Sequence, residues 1–350
     1  MGYNTEKRPQ TVRKCDIPMK KLLALFLVLT AIFAAFSLTA CPAQEPQPEE
    51  GVTVRIGGLK GPTSMGLVKI MEDDANGASD MNYEFTVAGN DASVLTTALL
   101  KGDLDMIAIP ANLAATLYNN SQGKIRVLAV NTLGVLHIAA KGVEITSVED
   151  LRGKTILAMN QGTVTEYTLR YLLTQNGINP DTDVTIEWKN GSEAQTEVIA
   201  ALKTSESAVA MLPQPALTVA MNQVQGLTDV IDFNDEWAKL ENAPKLLTGV
   251  LVARTEFVEQ YPGAVATFLR EYKASADYVN ENTDEAATLI EKHGIFAAAV
   301  AKKALPDCSI VCISGADMKT AMVPYLTMIF EQNAAAVGGK MPDDTFYYGA

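Results

Sequence analysis

Beyond residue 51 the hydrophobic pattern switches repeatedly between short β-rich runs and longer runs with helical spacing. Val52 to Ile56 predicts a strand and Gly57 to Pro62 a loop. Met65, Leu67, Val68, Ile70 and Met71 then mark one face of a helix. Tyr83 to Val87 alternates as a strand, Gly89-Asn90 ends it, and Asp91 can cap a helix running to Lys101. Met106 to Ile109 predicts a short buried strand stopped by Pro110. Asn112 to Tyr118 follows as a helix and Ile125 to Val130 as a strand. Such alternation predicts a mostly parallel sheet with helices on both faces.

The pattern restarts after an apolar, extended stretch from Val135 to Ala140. Ser147 to Asp150 reads as a capped turn, Thr155 to Met159 as a strand, and Thr163 with Glu166 as a capping box. That helix runs to Asn176 and Gly177 stops it. Val184 to Trp188, Ala208 to Leu212 and Val230-Ile231 predict strands, with helices at Glu193 to Lys203 and after Pro215. Asn234 to Lys245 is polar and irregular. Leu247 to Ala253 predicts a strand, and the remainder reads as mainly helical, with Thr283 a cap. The expected architecture is α/β with two lobes: 52–138 completed by 246–350, and 139–245 inserted between. Two hinge crossings then flank a cleft. In open α/β sheets ligands bind beyond the carboxyl ends of the strands, beside helix N-termini.

The N-terminus reads as an address. Lys20-Lys21 precedes an apolar run from Leu22 to Ala40 that ends Leu38-Thr39-Ala40-Cys41. This resembles the lipobox of bacterial lipoproteins, with Cys41 as the lipidated new N-terminus. Residues 1–40 are then a signal peptide, and Met19 is a plausible true start. An uncut membrane anchor is the rival reading. Residues 41–51, rich in proline and glutamate, predict a flexible tether.

The net charge of the chain is −13, and removal of the basic leader leaves about −17. An acidic chain of this kind is a poor partner for nucleic acid or anionic lipid. Its expected contact with the membrane is the lipid on Cys41 only. Two histidines, His137 and His293, argue against a multi-histidine metal site, and no cofactor or metal is expected. Cys308 and Cys312 could form a disulfide outside the cell, or be two small buried residues. A metal pair ranks last, since no histidine is near in sequence.

Several segments together resemble the substrate-binding lipoproteins of bacterial ABC importers, nearest the nitrate, sulfonate and thiamine-pyrimidine group of the type II periplasmic binding fold. They are Gly58-Leu59-Lys60-Gly61-Pro62-Thr63, Gly102-Asp103-Leu104-Asp105, Ser147 to Lys154, Gln161-Gly162-Thr163, Met211-Leu212-Pro213-Gln214-Pro215 and Tyr261-Pro262. The resemblance implies a non-enzymatic clamshell that closes on a small molecule and presents it to a permease and its ATPase. It implies an extracytoplasmic, lipid-anchored protein at the cell membrane. A monomer is expected.

The strand-end rule nominates Lys60, Pro62, Thr63 and Ser64 after the first strand, and Asn90 with Asp91 after the second. It nominates Asn112, then Asn131 and Thr132, after the third and fourth. Gln161, Gly162, Thr163 and Gln214 come from the inserted segment. Asp91 and Asn112 have competing roles as caps, and Thr163 with Glu166 can be spent on its helix. No arginine lies in these loops, whereas bidentate arginine suits oxyanions. Asn, Gln and Thr point toward a nitrogen heterocycle such as a pyrimidine, with a sulfonate- or nitrate-type anion bound by backbone amides as the other class. An enzyme of pyrimidine or menaquinone precursor synthesis on the same fold is the alternative, as is a non-transport sensor. No nucleophile elbow is present, and Gly153-Lys154-Thr155 lacks the upstream glycine of a phosphate loop.

Overall fold

The computed structural model describes residues 1–2, 49, 51–89 and 91–350. Cys41 and Asn90, with nearly all of the leader and tether, lie outside the described residues. The chain divides into two units, Met1–Pro46 and Gln47–Ala350, and every described strand belongs to the second. No helix among the described residues is long and apolar enough to cross a membrane.

Eleven strands form two sheets. They are β1 (Thr53–Leu59), β2 (Asn82–Ala88), β3 (Met106–Pro110), β4 (Ile125–Leu133), β5 (Leu136–Lys141), β6 (Thr155–Met159), β7 (Thr185–Lys189), β8 (Ala208–Pro213), β9 (Thr228–Asp232), β10 (Leu247–Arg254) and β11 (Ile310–Ser314). The first sheet has the order β11-β4-β10-β3-β1-β2 and the second β7-β6-β8-β5-β9. Central β3 is apolar and buried on both faces, as a strand covered by helices must be. β1 carries Gly57 and Gly58 because helices pack onto it. A Cβ on Gly58 would stand 2.1 Å from Ser64 Oγ, and one on Gly57 2.6 Å from Leu104 Cδ1.

The sheets are mixed rather than mostly parallel. β1 runs parallel to β2 and β3, and β6 to β7 and β8. β10 instead runs antiparallel between β3 and β4, because it re-enters the first sheet from the second. β5 is likewise antiparallel to β8 and β9. β5 pairs only within the second sheet, so the expected boundary at 138 falls inside one strand. The two crossings touch. Asn234 Nδ2 donates to Gly134 O at 3.3 Å, and a Cβ on Gly134 would meet Asn234 Oδ1 at 2.1 Å.

Three local expectations need correction. The polar stretch after β9 begins with a short helix, Phe233–Trp237, capped by Asp232, whose carboxylate accepts from Asn234 N at 2.7 Å. The C-terminal part contains edge strand β11, antiparallel to β4. Cys308 and Cys312 are free thiols, not a disulfide. Cys308 packs in the core beside the first sheet, and burial pushes its thiol up; burial raises Cys312 to about 11.

The Gly102 to Asp105 segment closes the first sheet at the end opposite the carboxyl ends of β1 and β3. Gly102, at φ +83°, ends the helix Ala92–Lys101 and turns the chain so that Asp105 enters the core. Asp105 is 2% exposed. Its carboxylate accepts from Arg55 Nε at 2.9 Å and Nη2 at 2.7 Å, and from Arg254 Nη2 at 2.8 Å. One buried carboxylate thus joins β1, β3 and β10. Burial alone would raise its pKa, but the two guanidinium groups outweigh it and lower it. In the second sheet, buried His137 on β5 stands with Nδ1 3.0 Å from Asp229 Oδ2, out of line for a hydrogen bond. Burial disfavours its protonation, but Asp229, Asp232 and Asp307 outweigh that and raise its pKa.

Asp105→Ala should cost about 3 kcal/mol of unfolding free energy, because two arginines lose their shared partner. A urea midpoint close to the parent's would refute the role. Because the folded pKa of Asp105 is depressed, its contribution is present above the ordinary carboxyl range and lost as acid takes the pH through the folded value. His137 has the opposite sign. Its contribution is fully present below about pH 6.5, the unfolded imidazole value, and is lost as pH rises through the raised folded value. His137→Gln should flatten that part of a melting-temperature profile, and an unchanged slope would count against it.

Candidate ligand-binding site

The carboxyl ends of β1, β3, β6 and β8 converge on a cavity of about 450 Å³. The loop after β1 supplies Lys60, Pro62 and Thr63, and β3 delivers Pro110 with the helix Ala111–Asn120 behind it. The second sheet supplies Gly162 and Thr163 after β6, and Pro213, Gln214 and Pro215 after β8.

Asn112 joins the two sides. Its Oδ1 accepts from Val164 N at 3.2 Å, and its Nδ2 donates to Gly162 O at 3.2 Å and to Ala336 O at 3.2 Å. The carboxamide therefore spans from a first-sheet helix to the start of the helix Val164–Gln175. That helix start is saturated. Thr163 Oγ1 accepts from Thr165 N at 3.3 Å, and Glu166 Oε2 accepts from Gly162 N at 2.8 Å. The expected capping box is displaced, since Glu166 reaches Gly162 rather than the cap residue.

Two other helices open at the cavity with no side-chain cap, Ala111–Asn120 and Ala194–Thr204; at a third, Ala216–Gln223, Gln214 Oε1 accepts from Thr218 N at 3.3 Å. Pro110 and Pro215, the cap residues of the first and third, have no side-chain acceptor to offer. The first N–H groups of a helix lack intrahelical acceptors and carry the positive end of its dipole. Lys60 is exposed and is the one charged side chain in the lining, which holds no aspartate or glutamate among the described residues. The lining's own charged side chain is therefore positive although the protein is acidic.

Seven nominated residues line this cavity: Lys60, Pro62, Thr63, Asn112, Gly162, Thr163 and Gln214. The side chain of Gln214 is committed, with Oε1 accepting from Thr218 Oγ1 at 2.8 Å and Nε2 donating to Asp307 Oδ2 at 3.4 Å. Five others lie elsewhere. Ser64 is buried and donates to Leu59 O at 2.6 Å. Asp91 is exposed and caps its helix, accepting from Ser93 N at 2.8 Å. Asn131 is fully buried behind the loop and donates to Thr63 O at 2.9 Å, while Thr132 donates to Asn131 Oδ1 at 3.1 Å. Gln161 lines an adjoining groove with Glu166, Arg170 and Asn190. Asn90 lies outside the described residues.

Sequence reasoning missed Asn160, Thr165, Thr168, Gln195 and Thr248, which add polar groups to the lining. It also missed Phe296, Ala335 and Ala336. Thr165 and Thr168 carry a faint signal as two hydroxyls three apart in the first turn of a buried helix. Thr168 Oγ1 is 2.8 Å from the hydroxyl of buried Tyr325. The Ala335-Ala336 wall carries no such signal.

No curated protein sequence matches the chain significantly. Several solved structures share its fold. A Parabacteroides distasonis ABC transporter protein superposes with a TM-score of 0.69 at 20% identity, covering 84% of this chain and 98% of that one. The periplasmic aliphatic sulphonate binding protein SsuA of Escherichia coli gives 0.65 at 16% identity, covering 83% and 92%. The periplasmic nitrate-binding protein NrtA of Synechocystis gives 0.53 at 15% identity, covering 73% and 69%. These likenesses establish the periplasmic-binding-protein fold. The sequence itself matches a family described as ABC transporter, phosphonate, periplasmic substrate-binding protein over residues 72–302, well over half of its length. The chain belongs to that family of periplasmic substrate-binding proteins of phosphonate ABC transporters.

Proposed function

We propose that this protein is an extracytoplasmic, lipid-anchored receptor that captures a small oxyanion-bearing organic molecule and delivers it to an ABC permease with its ATPase. The observation that carries the ligand class is the charge balance of the cavity. Among the described residues its lining has one lysine, no carboxylate and two helix starts without a side-chain cap. Helix N-termini accept phosphonate, sulfonate or nitrate oxygens without arginine. The names of the family and of the sulphonate- and nitrate-binding neighbours agree with that class. Leu113, Val135, Leu136, Met159 and Phe296 leave apolar surface for an organic substituent.

In this reading the two sheets with their helices are lobes that close on the ligand, and the receptor acts as a monomer. Lys60, Thr63 and Thr165 face the ligand, while Asn112 holds the lobes together around it. A binding role without catalysis agrees with the description of the family, a periplasmic substrate-binding protein. Cys41 carries the lipid.

Alkyl phosphonates, alkyl sulfonates and nitrate should raise the melting temperature in a dose-dependent way, by about 2.7 kcal/mol of stability at a hundredfold excess over Kd. Lys60→Ala should weaken anion binding by roughly tenfold or more, as a charge-assisted hydrogen bond is lost, and leave the unliganded melting temperature in place. Binding of neutral pyrimidines with no response to any anion would sink the ligand class. Labelled palmitate should enter the native chain in a bacterial host but not Cys41→Ser; equal labelling would remove the anchor from the proposal.

A further inference from the structure

The family match ends at residue 302, yet one wall of the cavity comes from the chain beyond it. After the helix Gly315–Gln332 the chain makes a 3-10 turn, Ala334–Val337, and runs back along the helix Ala111–Asn120. That helix grips it with four side chains. Asn112 and Thr116 both donate to Ala336 O, at 3.2 and 2.9 Å. Asn119 Nδ2 donates to Val337 O at 2.6 Å and Lys340 O at 2.7 Å. Tyr118 donates to Asp343 Oδ1 at 2.6 Å.

The grip is close. Gly338 sits at φ +83°, and a Cβ there would meet Asn119 Cβ at 2.8 Å and Thr116 Cα at 3.1 Å. Further on, fully buried Phe346 packs against Tyr118 with ring centroids 4.9 Å apart and planes tilted by 53°, and Tyr348 N donates to Val127 O at 3.0 Å. The turn is also tied to the second-sheet side, since Asn333 accepts from Ala335 N at 3.1 Å and donates to Tyr167 Oη at 3.1 Å. A backbone fixed at both ends places Ala335 and Ala336 in the cavity lining.

We infer that this C-terminal strap is the specificity-determining wall of the receptor, and that Ala335 and Ala336 set the length of the organic substituent it accepts. The inference deepens the ligand-binding reading above and rests on it. Because this stretch is fixed through the Ala336 carbonyl and the Asn333 cap, the side chains of 335 and 336 can vary without removing those bonds. Methyl groups are the smallest side chains that keep this backbone chiral and stiff, so they leave the most room that a non-glycine wall can leave. A larger residue would occupy cavity volume and shorten the longest ligand that fits.

The test uses the full-length protein and calorimetric titration with three series from methyl to hexyl: n-alkyl phosphonates, n-alkyl sulfonates and N1-alkyl cytosines. Ala336→Leu and Ala335→Leu should lower affinity for the hexyl member by roughly tenfold or more relative to the methyl member, since each misfitted methylene in a shaped pocket discriminates on that scale. Ala335→Leu guards against misfolding, because Ala335 is exposed and Ala336 is not. Equal losses across a series, or none, would overturn the strap as the wall that measures length. Length-dependent loss seen only with cytosines would overturn the anion reading and uphold the strap. A native protein that binds no member of any series would overturn both.

Discussion

Each bond made by the Asn112 carboxamide joins two parts of the cavity that are remote in sequence. The helix it sits on follows β3 of the first sheet. Its acceptor oxygen holds the first turn of a second-sheet helix, and its amide holds the loop before that helix and the C-terminal strap. Asn112 is 5% exposed, so none of these bonds competes freely with water. A buried carboxamide that lost one such partner would carry its full desolvation cost, which ties the three walls to a common position. This also decides what can face a ligand. Asn112 lines the cavity, but its polar atoms are spent, and the helix start it saturates is the one that cannot serve an anion. In the proposed reading the recognition surface passes to Lys60 and to the helices opening at Ala111 and Ala194.

The distribution of charge follows the same logic of separation. The chain carries −13 overall, yet the cavity lining holds no carboxylate among the described residues. Asp229, Asp232 and Asp307 instead gather around His137, and Asp307 meets the far side of Gln214. Burial, with the neighbouring carboxylates, raises Asp307, which eases the crowding of negative charge there. Backbone dipoles do not appear in a count of charged side chains. The absence of arginine from the strand-end loops therefore says little about anion affinity when two helices without side-chain caps open at one space.

Much of this fold is legible because helix and strand periods, glycine stops and proline breaks act locally. Asp91 and Gly177 behave at their helix ends as their chemistry demands, the latter at φ +70°. The failures share a cause, which is that a residue's type and place in a loop do not say where its polar atoms are used. Asn131 sits at a strand end and is consumed behind Thr63, in a space so tight that a Cβ on Gly249 would stand 2.6 Å from its Oδ1. Gln161 lies one residue from the cavity lining and faces another groove. β11 is a short apolar run inside a helical context, and only its pairing with β4 makes it a strand. The second cysteine lies on that strand and the first is buried before it, and both are free thiols.

The strap shows why ligand choice is the least legible property of such a chain. A frame of strands and helix starts can be shared across a family, because backbone amides recognise an oxyanion whatever is attached to it. The attached group must be recognised by shape, and shape comes from whichever segment closes the remaining side. Here that segment lies beyond the family match and is gripped through its carbonyls by Asn112, Thr116 and Asn119. Carbonyl bonding fixes the path of a wall without dictating its side chains, so the wall can change its ligand while the frame keeps its stability. Of the two residues of this small wall, Ala335 is exposed and Ala336 joins the core. The value of the wall lies in the room it leaves, and room is a property of the assembled molecule rather than of the local sequence.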